Sequence, residues 1–350
     1  MPPAPHPAAE PPHGPDGRPR AAVAMSAETA DGLLTPGVPE ALRRHVRLAP
    51  LPPLDEFASP RARAALAEAE LLVTGWGCPP LDEAALAAAP RLRAVVHTAG
   101  SVREHLTPAC WERGLAVSSA ATANALPVAE YAVAMILLAG KRVLESARDY
   151  REGRTRPGTL HASPHTGNYR RTVGILSASL VGRRVIELLR PHDLEVLLHD
   201  PYVTGEEARA LGVRAVPLPE LFASCDVVSV HTPLLPGTRG LVGRELLAAM
   251  RPDATLVNTA RGPVLDQEAL TELLLRGRLR AVLDVTEPEP LPPGHPLWSC
   301  PNVLLTPHIA GSQGNELRRL ADTAVAEVER WAGGAAFAHP VSRERLDHLA

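Results

Sequence analysis

The sequence predicts an α/β protein with two doubly wound domains. Three observations carry that expectation. Its 350 residues are enough for two domains, each with its own core. Strand-like and helix-like segments alternate along almost the whole chain, the pattern of parallel sheets with crossover helices. The stretch "RTVGILSASLVGRRV", residues 171–185, has the outline of a dinucleotide-binding turn: an apolar strand, a turn of small residues, then a helix.

Taken in order, the first twenty residues are Pro-rich and lack the apolar core of a signal peptide, so they are expected to be a disordered tail. Strands follow at "AAVAM", "ELLVTGW", "RAVVHTAG" and "LAVSS", with helices between them at "RARAALAEAE" and "DEAALAAAP". A long helix is expected from about Pro127 to Tyr150, because proline is favoured at a first helical position. Its apolar run "YAVAMILLAG" (131–140) is too short to span a bilayer and reads as a buried helix. "REGRTRPGTLHASPHTGNY" then reads as a loop.

The second series of strands is "TVGIL", "EVLLHD", "DVVSVH", "ATLVNTA", "RAVLDV" and "NVLLTPH". Helices are expected at "VGRRVIELLRP", "EEARALG", "RELLAAMR" and "DQEALTELLLRG", and a last amphipathic helix at 315–334. About six strands with crossover helices is the size of one dinucleotide-binding domain.

Composition narrows the function. Lys and Arg total 36 against 39 Asp and Glu, so no basic excess points to nucleic acid. Aromatics are only 3%, so the core is mostly aliphatic. Cys78, Cys110, Cys225 and Cys300 form no C-x-x-C and read as reduced thiols of a cytoplasmic protein, not as disulfides or a metal site.

The turn itself departs from G-x-G-x-x-G. It reads Ser177-Ala178-Ser179-Leu180-Val181-Gly182, keeping only the glycine that lets helix and strand pack closely. If Ser177 must take a left-handed backbone, it costs about 1–2 kcal/mol. Ser179 stands where the backbone approaches a pyrophosphate, and its hydroxyl is able to donate to a phosphate oxygen. Asp200 ends the next strand eighteen residues after Gly182, where an acidic side chain binds the ribose hydroxyls of NAD. Alone, this is equally an ordinary strand–turn–helix.

Three later segments change the weighing. "VNTARGPVLDQEAL" puts Arg261 after a strand, "AVLDVTEPEPLP" puts Asp284 and Glu289 after the next, and "HPLWSCPNVLLTPHIAGS" puts His308 after the last. Ligands of open α/β sheets bind beyond those strand ends. Each residue taken singly has a bland reading: a surface ion pair for Arg261, a solvated turn for Glu289, a core histidine for His308.

On these motifs the chain resembles the D-isomer-specific 2-hydroxyacid dehydrogenase family, from about residue 90 to 335. The resemblance implies a Rossmann NAD-binding domain, 127–308, inserted into a flavodoxin-like catalytic domain formed by 21–126 and 309–350. It implies Arg261, Glu289 and His308 as catalytic residues. It places cofactor contacts on Ser179, Leu180, Val181, Gly182, Asp200, His231, Thr259, Ala260, Arg261, Asp284, His308 and Gly311. Substrate carboxylate would meet Gly100, Ser101, Val102 and Arg261. His231 is the weaker of these and equally only packs beside the cofactor; Gly100–Val102 is equally an ordinary turn. Trp76 and Trp298 either shape a substrate pocket or belong to the core. NAD is the implied cofactor, a 2-oxo or 2-hydroxy acid the substrate, and a homodimer with the helix near Glu130 in its interface the assembly. No metal, nucleic acid or membrane is implied.

The chemistry is coherent on its own terms. Reducing a 2-oxo acid needs a hydride to carbon and a proton to oxygen. NADH supplies the first and an imidazolium at His308 the second. Glu289 would stabilise the charged imidazole, and the Arg261 fork would grip the carboxylate and polarise the carbonyl. Two other readings stay open: an NAD(H)-sensing, corepressor-like binding protein, and a different hydride donor such as formate, against which Glu289 speaks.

Overall fold

The computed structural model describes residues 17–154 and 166–346. The chain divides into two compact units. Among the described residues, one takes 17–124 together with 312–346, and the other takes 125–154 together with 166–311.

The first unit is a five-stranded parallel sheet of β1 (Arg20–Ala24), β2 (Arg47–Leu48), β3 (Leu71–Thr74), β4 (Ala94–His97) and β5 (Ala116–Ser119). Its order, β2-β1-β3-β4-β5, is the doubly wound order found in flavodoxins. Strands β3 and β4 are buried at every position, which is why they read as continuous apolar runs rather than alternating ones. Two clusters cover the faces. One is built around Leu66, Leu72, Val95 and Val117, the other around Leu33, Leu42, Val73 and Val96. The helix Leu317–Ala332 joins the second cluster through Leu320, Ala321, Ala324 and Val328. Buried Glu327 on this helix accepts from Ser118 Oγ at 2.5 Å and from the backbone N–H of Ala338 and His339, tying the helix and the segment after it to β5.

The second unit is a seven-stranded parallel sheet of β6 (Arg171–Leu176), β7 (Leu194–His199), β8 (Arg214–Ala215), β9 (Val227–Val230), β10 (Thr255–Asn258), β11 (Arg280–Leu283) and β12 (Val303–Leu305). The order is β12-β11-β10-β9-β6-β7-β8. Counted from β6, this is the dinucleotide-binding order with one further strand, and the strand order reverses between β6 and β9.

Three expectations are corrected. Arg20 opens β1 and its N–H donates to Glu70 Oε1 at 3.1 Å, so an unstructured tail does not extend to residue 20; residues 1–16 lie outside the described residues. The long helix is two helices, Ala121–Gly140 and Val143–Gly153, and Pro127 sits inside the first instead of starting it. Pro127 has no N–H to give, so one rung of that helix is missing. The first helix stops at Gly140 because Asn168 Nδ2 donates to Leu137 O at 3.1 Å and Gly167 N to Gly140 O at 2.7 Å, which satisfies terminal carbonyls that another turn would otherwise take. The loop expected after it falls largely on residues 155–165, outside the described residues. Finally, the apolar run 131–140 belongs to a 20-residue helix long and apolar enough to cross a membrane; Ala129, Ala132, Val133 and Ile136 on one face of it are buried against the sheet of the second unit.

All four cysteines are free. Burial pushes the Cys78 and Cys225 thiols up to about 12 and raises Cys110 and Cys300, which leaves little thiolate for reaction. Among the described residues, no group of three or more His, Cys, Asp or Glu side chains is placed to hold a metal ion.

Candidate active site

The turn after β6 is held from several sides. Ser177 has φ +78°, a left-handed conformation that costs a non-glycine residue strain. Its N–H donates to His199 O at 2.8 Å, and its hydroxyl lies 2.8 Å from Thr232 Oγ1. Ser179 caps the helix Leu180–Leu189 by accepting from Gly182 N at 3.3 Å. A Cβ at Gly182 would stand 2.0 Å from Ser177 O, so only glycine lets helix and strand meet here. Asp200, directly after β7, turns its carboxylate onto this turn and accepts from Ala178 N at 2.7 Å and Tyr202 N at 2.8 Å. Leu180 and Val181 open the helix. Arg183, which sequence reasoning passed over, donates from Nε to Ala178 O at 2.9 Å.

At β9 the fully buried His231 ring places Nε2 2.9 Å from Ser229 Oγ, and burial drives its pKa down to about 3, so the ring is neutral. Its Nδ1 and the Thr259 hydroxyl after β10 are buried without a hydrogen-bond partner among the described residues. Two such orphaned groups at the strand ends, beside a helix N-terminus and a carboxylate, fit the polar edge of a dinucleotide.

Arg261 is carried by a short clamp. Asn258, fully buried at the end of β10, accepts from Ala260 N at 3.0 Å and donates from Nδ2 to Arg261 O at 2.9 Å. The Arg261 guanidinium is exposed and spends one N–H on Ala260 O. Gly262 follows because a Cβ there would lie 2.1 Å from Thr286 O. That contact joins the Arg261 loop to the segment leading to Glu289. Gln267 holds the same segment with a paired bond, donating to Glu287 O at 2.6 Å and accepting from Glu287 N at 2.9 Å. Neither Asn258 nor Gln267 was singled out from the sequence, although an Asn ending a strand before a turn is a recognisable local signal.

His308 lies three residues past β12, with φ +55°. Its Nδ1 is 2.8 Å from Glu289 Oε1. A carboxylate only accepts, so Nδ1 is the donor and Nε2 is the nitrogen left for other work. The His308 N–H donates to Asp284 O at 3.0 Å. The Asp284 side chain, 1% exposed, accepts from Thr306 Oγ1 at 2.6 Å, Ile309 N at 2.9 Å and Ala310 N at 2.9 Å. Three of its four lone-pair positions therefore serve the His308 loop, and one remains. Gly311 ends the same loop.

Of the expected residues, the second unit brings His308 and Glu289 into contact, sets Asp284 behind them, and keeps Ser177–Gly182 with Asp200. Arg261 makes no hydrogen bond to His308 or Glu289. Gly100–Val102 belong to the first unit, where Val102 is buried and Ser101 Oγ accepts from Arg103 N at 3.3 Å. Under that turn, Thr74 Oγ1 lies 3.0 Å from His97 Nδ1 and 3.4 Å from His105 Nε2. Burial, with mutual repulsion at His97, lowers His97 well below the usual histidine range, and burial brings His105 to about 4. Trp76 and Trp298 are exposed, so neither is core.

Sheet order, a helix-capped turn with an acidic residue after the next strand, and polar groups beyond the strand ends define a dinucleotide-binding protein. Residues 133–310 match the profile of the D-isomer specific 2-hydroxyacid dehydrogenase NAD binding domain. The chain is 35% identical over 246 residues to a glyoxylate reductase of Korarchaeum cryptofilum, covering 69% of this chain and 74% of that protein. It is 33% identical over 233 residues to a D-3-phosphoglycerate dehydrogenase of Archaeoglobus fulgidus, covering 66% of this chain but only 44% of that protein, less than half its length. The solved D-lactate dehydrogenase of Aquifex aeolicus, in complex with NAD and lactic acid, superposes with a TM-score of 0.70 at 25% identity, covering 90% of this chain and 96% of that one. The chain belongs to the D-isomer-specific 2-hydroxyacid dehydrogenase family, and its cofactor is NAD.

Proposed function

We propose that this protein reduces a small 2-oxo acid to the D-2-hydroxy acid, and runs the reverse oxidation, with His308 as proton donor and acceptor. The observation that carries the reading is the His308–Glu289 pair beyond β12, in the same unit as the NAD-binding turn. NADH, when bound, supplies the hydride. The cofactor would be held by Ser179–Gly182 at its phosphates, Asp200 at its ribose, and Thr259, Ala260, His231, Asp284 and Gly311 along the strand ends.

Glu289 fixes the imidazole by accepting a hydrogen bond from Nδ1–H, so that Nε2 faces the substrate oxygen. Arg261, whose guanidinium keeps most of its donors unspent, grips the carboxylate, and its charge stabilises the oxyanion as it develops. In the first unit, Gly100, Ser101 and Val102 would offer backbone N–H groups to a substrate carboxylate. The protein works as a cytoplasmic homodimer on a small free acid, without nucleic acid or membrane.

Steady-state NADH oxidation against glyoxylate, hydroxypyruvate, pyruvate, phenylpyruvate and branched 2-oxo acids tests this. At least one should be turned over with a kcat above about 1 per second. Tight NADH binding with no turnover on any of them would instead support a cofactor-sensing role.

A further inference from the structure

We propose that Tyr131, on the helix Ala121–Gly140, is a positioning residue for His308, acting through Thr306 and Asp284; this rests on the proton-transfer role given to His308 above. The phenol oxygen lies 2.7 Å from Thr306 Oγ1, which lies 2.6 Å from Asp284 Oδ1. The direction of every proton in this chain follows from its end. A carboxylate accepts, so the single Thr306 hydroxyl proton points to Asp284, and Thr306 Oγ1 is left as an acceptor. Tyr131 is therefore the donor. Burial raises the phenol above its ordinary range, the hydrogen bond with Thr306 pulls part of the way back and the Asp284 charge adds to the rise, so that proton stays in place.

What the chain holds is a strained loop. His308 sits at φ +55°, a conformation that a side-chain-bearing residue keeps only when its surroundings over-determine it. Asp284 supplies that constraint by taking the N–H groups of Ile309 and Ala310, the two residues after His308, while its own carbonyl takes the His308 N–H. Thr306 shares Oδ1 with Ile309, so the rotamer of Thr306 sets how that oxygen is presented. Without a donor at Tyr131, Thr306 Oγ1 would be a half-buried acceptor without a proton to take, and it would be free to swing towards water and leave the carboxylate. The loop would relax, and the His308–Glu289 contact would be occupied for less of the time. Among the described residues the Tyr131 hydroxyl bonds Thr306 and makes no hydrogen bond to a residue proposed to grip the oxo acid, so its removal should cost kcat and spare KM for the oxo acid.

The test is a set of five proteins: parent, Tyr131→Phe, Thr306→Val, Thr306→Ser and the double variant Tyr131→Phe/Thr306→Val. Each is read twice. In kinetics, Tyr131→Phe should lower kcat about fivefold and Thr306→Val about tenfold or more, with KM for the oxo acid within about twofold. Thr306→Ser, which keeps the hydroxyl, should restore most of kcat. Adding Tyr131→Phe to Thr306→Val should cost nothing further, because the path is already cut. In ¹⁵N spectra, the His308 ring signals, assigned by their loss in His308→Ala, should show a hydrogen-bonded Nδ1–H in the parent and Thr306→Ser. They should move towards the solvent-averaged position in Tyr131→Phe and Thr306→Val. A merely structural Tyr131 would change melting temperature and leave the ring signals and kcat alone. Equal costs of Tyr131→Phe in both Thr306 backgrounds, or ring signals identical in all five proteins, overturn the proposal. A parent with no turnover on any oxo acid overturns the catalytic reading instead, and the spectra still decide the role of Tyr131.

Discussion

Ser177 is the residue at which sequence pattern and backbone geometry conflict most directly. Its φ of +78° belongs to glycine, yet its hydroxyl meets Thr232 at 2.8 Å. Removing the side chain relieves about 1–2 kcal/mol of strain and forfeits a hydrogen bond of about 0.5–1.5 kcal/mol. The two effects nearly cancel. Ser177→Gly should therefore leave NADH affinity within about threefold of the parent by calorimetric titration; a loss beyond tenfold would make the hydroxyl part of the binding surface. Gly182→Ala has no such balance, because its methyl would meet Ser177 O at 2.0 Å. It should weaken NADH binding by more than about tenfold, or prevent folding of the second unit. At Asp200, the carboxylate facing the turn should make NADH strongly preferred to NADPH, through ribose bonds gained and repulsion of the extra phosphate; equal kcat/KM with the two cofactors would contradict that. Arg261, Glu289, His308 and the Ser177–Gly182 turn stand out in the sequence because they follow apolar strands within stretches that resemble the family's motifs. Tyr131 and Gln267 do not, since their partners lie far away in sequence and only the fold delivers them.

Elements whose burial is two-sided were the easiest to read. Strands β3, β4, β9 and β10 are buried throughout and read as short aliphatic stretches without the alternation of a one-sided strand. The edge strands β2 and β8 are two residues each, too short to leave a pattern. The end of the helix Ala121–Gly140 escaped notice because Gly167 and Asn168, beyond the next helix, terminate it. The ends of β3, β4 and β9 also carry a pH dependence. His97, His105 and His231 are held neutral by burial, His105 near 4 and His231 near 3. Unfolded, each titrates near 6.5. Between those values the unfolded chain binds more protons, so stability is full above about pH 6.5 and falls with pH by about 1.4 kcal/mol per unit for each histidine. Melting temperatures measured from pH 7 to pH 4.5 should fall steadily. In His105→Gln the fall should be shallower by about one proton, and an unchanged slope would place that proton on the folded ring.

For the whole molecule, the first unit draws on two separate stretches of the chain, and within it Asn124 Oδ1 accepts from Ser312 N at 3.0 Å. Two units were foreseen from length and from the two series of strands, because each sheet needs its own pair of covering layers. Substrate choice was not legible, since the turns of the first unit that would read the acid's side chain carry no motif. The central proposal is that a proton passes through His308 as a 2-oxo acid is reduced. The direct measurement is the rate of NADH-dependent reduction by His308→Ala at saturating NADH and best oxo acid, alongside its NADH affinity. A loss of about a hundredfold or more in kcat with NADH binding intact is expected. A kcat within a few-fold of the parent would contradict it.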